Sequence, residues 1–504
     1  MKIFSKILKN SITLALLSAV LLRLCFPKFN LHILAWVAFL PLFFVASREK
    51  PLKSFFIFWL GGTLFYILTI FWLIHVTVAG MVVLSIYLGI YFAFFGTGYK
   101  FAKERFSFWP RLVFIPAWWV VLEYCRGFLL TGFPWALLAY TQEKDLFAIQ
   151  AADLFGCWGV SFLIILANVF LFELILIPRK DYFLKIRQIT IVLLIFVCWF
   201  TYGIFRVYEN PKKSCPLLVS VVQGNIPQEI KWVSSFGEKI FKKYQLLTDI
   251  VRLKEAPDLI IWPETSFPDY LELRDNDRDL KEYIQKNGTP LLLGSIRLDE
   301  AHYFNSAILF SRTGDILGDY DKIHLVPFGE YIPLRRSLPF LGRLLPIEDF
   351  TAGRDYKIFS IHGAQCSLMH FGVLICFEDI FGSLASRFVR SGADFLVNIT
   401  NDAWFGNTAS PFEHRQASVF RAVENRVFVV RSANAGISCI IDDKGKIMAT
   451  VKDAAGNEAF VTGFTTAFIY KTARRGLYTQ IGDIFVFACI LSMIWIILFR
   501  RRAH

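Results

Sequence analysis

Apolar stretches near 11–27, 31–47, 54–75, 78–98, 112–130, 158–178, 188–206 and 482–499 dominate this chain. A helix needs about 20 apolar residues to cross the hydrocarbon core of a bilayer. The stretches are of that size, and they predict a multi-pass α-helical membrane domain of about eight spans. Composition agrees, because 55% hydrophobic against 19% charged residues is too apolar for an ordinary soluble protein. The apolar excess stops near 206 and returns near 483. The segment between them is long enough to bury a core of its own. The expected division is 1–210, a membrane domain holding spans one to seven; 211–475, a globular domain; and 476–504, the last span with a basic tail.

The net charge of +13 is distributed as short basic clusters flanking the apolar stretches. This pattern argues against nucleic acid as a partner and sets an orientation instead. Lys2, Lys6 and Lys9 precede the first span. Arg48, Lys50 and Lys53 follow the second; Lys100, Lys103, Arg105 and Arg111 the fourth; Arg179, Lys180, Lys185 and Arg187 the sixth; and Arg500, Arg501 and Arg502 the last. The alternate loops hold Lys28, nothing near 76–80, and Lys144. Both termini are expected on the cytoplasmic side and the globular insert on the outer face, which in a bacterium is the periplasmic side of the inner membrane. Glu123 and Arg126 are three apart inside the fifth span, on one helix face. They read either as a functional intramembrane pair or as an interfacial ion pair beside Gly127. Thr131–Gln142, with Trp135 and Tyr140, reads as an outer loop whose aromatic rings form a headgroup belt or contact a lipid.

Within the insert, strands are expected at 217–223, 258–262, 291–295, 304–311, 316–319, 369–376, 394–399, 427–433, 437–442 and 459–464. Helices are expected at 236–254, 276–287 and 409–424. Strands alternating with helices, then hairpins, indicate an α/β layered domain with a mixed sheet. The nine cysteines lack the paired spacing of a zinc site or a disulfide framework; a Cys366–Cys439 bridge is left open.

Three stretches of the insert carry chemistry: Ile260-Ile-Trp-Pro-Glu264, Tyr320-Asp-Lys322-Ile-His-Leu-Val-Pro-Phe-Gly-Glu330, and Gly372-Val-Leu-Ile-Cys376-Phe-Glu-Asp. Each sets a reactive side chain near the end of an apolar run. A lone cysteine after a strand is more often packing than nucleophile, and a lone lysine is usually solvated. The three together supply a thiol, a carboxylate to take its proton and an ammonium to stabilise an oxyanion. His324 is the rival base to Glu264 through a Cys–His arrangement.

The ordered trio, with VVQGNIPQEIKW, LVPFGEYIP and NDAWFG, resembles the nitrilase (carbon–nitrogen hydrolase) superfamily and, more narrowly and over the full length, the apolipoprotein N-acyltransferases. The resemblance implies a nitrilase-like αββα domain outside the membrane. Glu264 becomes general base, Lys322 oxyanion stabiliser and Cys376 nucleophile. Glu330 and Glu378 become supporting carboxylates, and Trp232 a substrate-access aromatic. Phe377 departs from the tyrosine that many relatives carry after the cysteine. Trp404 with Phe405, and Phe340–Pro346, read as gating loops or as ordinary packing. The implied reaction passes an acyl chain from the sn-1 position of a phospholipid through a thioester on Cys376. The acceptor is the α-amino group of the N-terminal diacylglyceryl-cysteine of an apolipoprotein. No cofactor or metal is implied, and nothing requires more than a monomer. Two other readings use the same residues differently: a membrane-tethered nitrilase or amidase that hydrolyses a small amide, and a membrane protein whose outer domain binds a ligand without chemistry.

Overall fold

The computed structural model describes residues 10–176, 182–210, 213–231, 233–267, 270–271, 278–300, 302–333, 335 and 349–499. Two compact units emerge, one of 1–209 with 481–504, the other of 210–480.

The first unit is helical. Among the described residues four helices are long and apolar enough to cross a membrane: Pro51–Thr69, Val78–Arg105, Ala152–Leu176 and Lys185–Tyr208. The other expected spans differ. Ser11–Cys25 and Ile484–Phe499 are shorter apolar helices, reaching only about 22–24 Å at 1.5 Å per residue. The expected span at 31–47 is broken, with a 3-10 turn over His32–Trp36 and a helix only from Leu40 to Arg48. The fifth helix, Phe108–Arg126, stops before the expected 130 and carries Pro116 inside it. Helices Pro51–Thr69 and Val78–Arg105 approach closely through small residues. A Cβ on Gly89 would lie 2.2 Å from Thr63 Oγ1.

The charges of this unit tie its irregular segments. Glu123 Oε1 accepts the Leu138 N–H at 2.7 Å, and Arg126 donates to the Tyr66 hydroxyl and to the Trp135 carbonyl. Glu123 and Arg126 therefore staple the 135–138 loop, with 3.8 Å between their charged atoms. The aromatic belt expected in that loop is not formed: Trp135 and Tyr140 are buried.

The second unit holds two sheets. The first comprises β1 (Lys213–Gln223), β2 (Leu259–Ile261), β3 (Tyr270–Leu271), β4 (Leu291–Asp299), β5 (His302–Phe310), β6 (Ile316–Asp321) and β13 (Gly463–Thr472), in the order β13-β1-β2-β4-β5-β6 with β3 against β4. The second comprises β7 (Ile358–Ile361), β8 (Met369–Ile375), β9 (Phe395–Thr400), β10 (Phe428–Ala433), β11 (Cys439–Ile441) and β12 (Ile447–Thr450), in the order β12-β11-β10-β9-β8-β7. β1, β2 and β4 run parallel, as do β8, β9 and β10; hairpins complete both edges of the second sheet and one edge of the first, whose other edge is β13 antiparallel to β1. Of the expected strands, 459–464 shifts to Gly463–Thr472, and β3, β7 and β12 are additions.

The inner faces meet where Ser432 of β10 donates to the carbonyls of Val222 and Ile261. Helices Gly237–Glu255 and Arg278–Asn287 cover the first sheet through Ile240, Tyr244, Val251, Leu280 and Ile284. Trp262 is fully buried there, and its indole N–H reaches Thr248 Oγ1 at 2.8 Å. Helix Gly382–Arg390 covers the second sheet, its Phe388 filling the space a Cβ on Gly372 would need. The domain is the nitrilase-like αββα sandwich.

Cys366 is bonded to Cys215, and Cys439 is buried outside that bridge. The bridge left open between Cys366 and Cys439 does not form, because β1 brings Cys215, 151 residues distant, to the loop before β8.

Candidate active site

Parallel strands expose their carboxyl ends on one edge of a sheet, and reactive groups collect there. Glu264 lies three residues past β2, Cys376 directly past β8, and Asp402 two past β9. Lys322 follows the end of β6.

The turns that carry these residues are unusual. Cys376 has φ +53°, and Thr265 and Phe328, next to Glu264 and near Glu330, have φ +45° and +61°. Left-handed backbone at non-glycine residues costs about 1–3 kcal/mol each and persists where the surroundings hold it. At Cys376 the hold is visible. Its carbonyl accepts from Asn398 Nδ2 at 3.3 Å and lies 3.2 Å from His414 Nε2. The Glu264 turn sits over Gly294, where a Cβ would come within 2.6 Å of Glu264 Cα.

The trio converges. Lys322 Nζ lies 2.9 Å from Glu330 Oε1 and 3.8 Å from Glu264 Oε1. Burial opposes the ammonium, yet the charges of Glu330, Glu264 and Cys376 raise its pKa above the ordinary lysine value. Burial first, then the Glu264 charge, pushes the Cys376 thiol well above its usual range, with Lys322 opposing. The resting site therefore holds a thiol.

Glu378 ties two of these segments. It accepts from the main-chain N–H groups of Ile323, His324 and Ile375 at 2.8, 3.0 and 2.8 Å, and from the Tyr320 hydroxyl. Burial raises its pKa to about 7 against these bonds. Phe377 is buried with its ring against Phe381 and His324. The His324 ring lies 4.0 Å from that of Phe381. Trp404 is half exposed on the turn after β9. Trp232 and Phe340–Pro346 lie outside the described residues.

Several groups went unread in the sequence. Asn305 of β5 gives its amide to Glu264 Oε1 and Glu330 Oε1, both at 2.8 Å, so it spaces the two carboxylates. Lys231 is buried, and its ammonium donates to the Glu264 carbonyl at 3.1 Å. Burial pulls its pKa down to about 8, against the Glu264 and Cys376 charges that raise it. Behind Cys376, His414 bridges Asp379 and Asp402 at 2.9 Å each, and Arg431 reaches the same two carboxylates. The signals available were slight: an amide inside an apolar strand, a lysine beside Trp232, and an arginine amid apolar residues at 427–433.

The chain is similar to known proteins along its whole length. A family model for the apolipoprotein N-acyltransferase N-terminal domain matches 18–170, and one for carbon–nitrogen hydrolases matches 218–460. A Geobacter metallireducens protein named apolipoprotein N-acyltransferase is 37% identical, covering 99% of this chain and 97% of that protein. Proteins of the same name from Pasteurella multocida and Rickettsia prowazekii are 30% and 31% identical, over 95% and 88% of this chain and 94% and 85% of theirs.

Proposed function

Because the chain belongs to the apolipoprotein N-acyltransferase family, we propose that it moves an acyl chain from a phospholipid to the α-amino group of a diacylglyceryl apolipoprotein, through a thioester on Cys376. The observation that carries this reading is the buried Glu264–Lys322–Glu330 cluster acting on a cysteine held in a left-handed turn.

In the first half-reaction Glu264 takes the Cys376 proton as the sulfur attacks the sn-1 carbonyl carbon. The high pKa of the thiol favours transfer during attack over a standing thiolate. The carbonyl electron pair moves to oxygen, where Lys322 stabilises it. Collapse breaks the ester bond, and the proton on Glu264 passes to the departing lysophospholipid oxygen. In the second half-reaction the acceptor amine attacks the thioester and loses its proton to Glu264. The Cys376 sulfur leaves and takes that proton from Glu264, which restores the thiol and leaves an amide, so the kinetics are ping-pong. Glu330 and Asn305 hold the lysine and the base at their spacing.

Both substrates are lipids, which explains an apolar helical unit in the same chain as the sandwich. The eight-span topology, with both termini cytoplasmic and the sandwich on the periplasmic side, belongs to this proposal. The charge asymmetry of the loops supports it. So does the Cys215–Cys366 bridge, since disulfides persist in oxidising compartments.

The test is intact-mass spectrometry after incubation with a defined phospholipid, for wild type and Cys376→Ala. The expected result is a gain of one acyl chain that hydroxylamine removes and that the variant lacks. An unmodified wild-type protein with a normal unfolding transition would overturn the phospholipid-donor mechanism.

A further inference from the structure

Lys322 is shared between two carboxylates, 2.9 Å from Glu330 and 3.8 Å from Glu264. The reaction adds a further negative charge on the Cys376 sulfur and then on the carbonyl oxygen. Buried charges are costly unless they are balanced. With Glu264, Glu330 and Lys322 alone the site carries one net negative charge. That charge remains when the proton moves from Cys376 to Glu264. A second buried cation makes this set of groups neutral at every step.

Lys231 is that cation by position. It is 3% exposed and donates to the main-chain carbonyl of the base itself. The charges of Glu264 and Cys376 both act on it. Its place is built in. The preceding loop is clamped by Asn434, whose Oδ1 accepts from Ile226 N at 2.8 Å and whose Nδ2 donates to the Ile226 carbonyl at 2.8 Å. Asn401, just past β9, donates to Gln228 Oε1 at 2.9 Å. Three other segments of the domain therefore meet this loop, and the lysine that follows it reaches the Glu264 main chain.

We propose that Lys231 is the second cation of the active site, which stabilises the charge passing from the Cys376 sulfur to the substrate oxygen and holds the Glu264 turn. The inference rests on the reading of Cys376 as nucleophile. Lys231 acts through the field and through the Glu264 main chain, as a positioning residue. Glu264, Lys322 and Asp402 also act on the sulfur, with larger effect.

The experiment follows the rate of alkylation of Cys376 by iodoacetamide at pH 7, below the pKa of Lys231, in the full-length protein, by peptide mass spectrometry, with Cys376→Ala as blank. Lys231→Met removes charge and donor. Lys231→Gln removes the charge and keeps a donor for the Glu264 carbonyl. The alkylation rate is expected to fall about tenfold or more in both variants. Lys231→Arg is expected to return most of the loss. Acyl-enzyme formation from phospholipid should slow about tenfold or more in the Gln variant. A wild-type rate in either Met or Gln overturns the proposal, and a loss in Met alone reduces Lys231 to a structural donor and overturns it too. If Lys231→Met does not fold, the Gln variant decides alone. Alkylation needs no phospholipid, so absent wild-type acylation would count against the parent function and leave this comparison intact.

Discussion

The Tyr320 hydroxyl meets both oxygens of the buried Glu378 carboxylate, at 2.9 and 3.0 Å. Tyr320 stands two residues before Lys322, and Glu378 two residues after Cys376. The pair therefore fixes the Lys322 segment relative to the Cys376 segment. Tyr320→Phe removes a hydrogen bond to a charged group, about 1.5–3 kcal/mol. Acyl-enzyme formation in Tyr320→Phe should fall by about tenfold, and the unfolding midpoint should drop measurably. Stopped-flow acylation alongside calorimetry tests this; an unchanged acylation rate would remove the positioning role.

Gly294 faces the Glu264 turn from β4, and a Cβ there would lie 2.6 Å from Glu264 Cα and 2.7 Å from Thr265 N. Both are backbone atoms, so the turn itself must move. Gly294→Ala should cost about 1–3 kcal/mol of stability and lower acyl transfer by about a hundredfold, since small misplacements of a reacting group are expensive. Turnover near the wild-type value would show that the turn tolerates the shift.

His414 and Asp402 give the domain a defined pH range. Burial and Arg431 oppose protonation of His414, but Asp379 and Asp402 win and raise its pKa to about 9 from 6.5. Its contribution to stability is complete below about pH 6.5 and is lost as pH rises through about 9. Asp402 behaves oppositely: burial raises it, but His414 and Arg431 bring it to about 2 from 3.8. Its contribution is complete above about pH 3.8 and fades as pH falls through about 2. Thermal unfolding of the full chain should lose stability between pH 7 and 10, and His414→Gln should flatten that limb. An identical alkaline slope in both proteins would contradict the assignment.

The Cys215–Cys366 bridge sits at the amino ends of β1 and β8, and the reactive groups at the carboxyl ends of β2 and β8. β8 separates the two by about 20 Å at 3.3 Å per residue. Replacing both cysteines by alanine should lower unfolding free energy by about 2–4 kcal/mol with acyl transfer retained at moderate temperature. Denaturant titration with a parallel acylation assay distinguishes this from a bridge that shapes the site.

Much of the chemistry was legible because local order carries it. An apolar run that ends in a polar residue marks the end of a buried strand, and Glu264 and Cys376 stand at such edges, whereas Lys322 follows the polar strand end Asp319-Tyr-Asp321. The belt expected of Trp135 and Tyr140 failed because interfacial composition also suits a buried loop, and the Glu123–Arg126 staple turns those rings inward. The spans were read by apolar length, which does not register the break between Trp36 and Leu40.

By itself the sequence determined the apolar segments, the alternation of basic loops, most strand positions and the three stretches that carry Glu264, Lys322 and Cys376, all of which depend on neighbours within about ten residues. Tertiary structure decided the partners. Asn305 between two carboxylates, Lys231 under Glu264, Arg431 and His414 behind Cys376, and Cys215 with Cys366 are contacts across 25 to 151 residues. Which of them meet depends on strand order and register, and these follow from the packing of whole faces rather than from any local pattern.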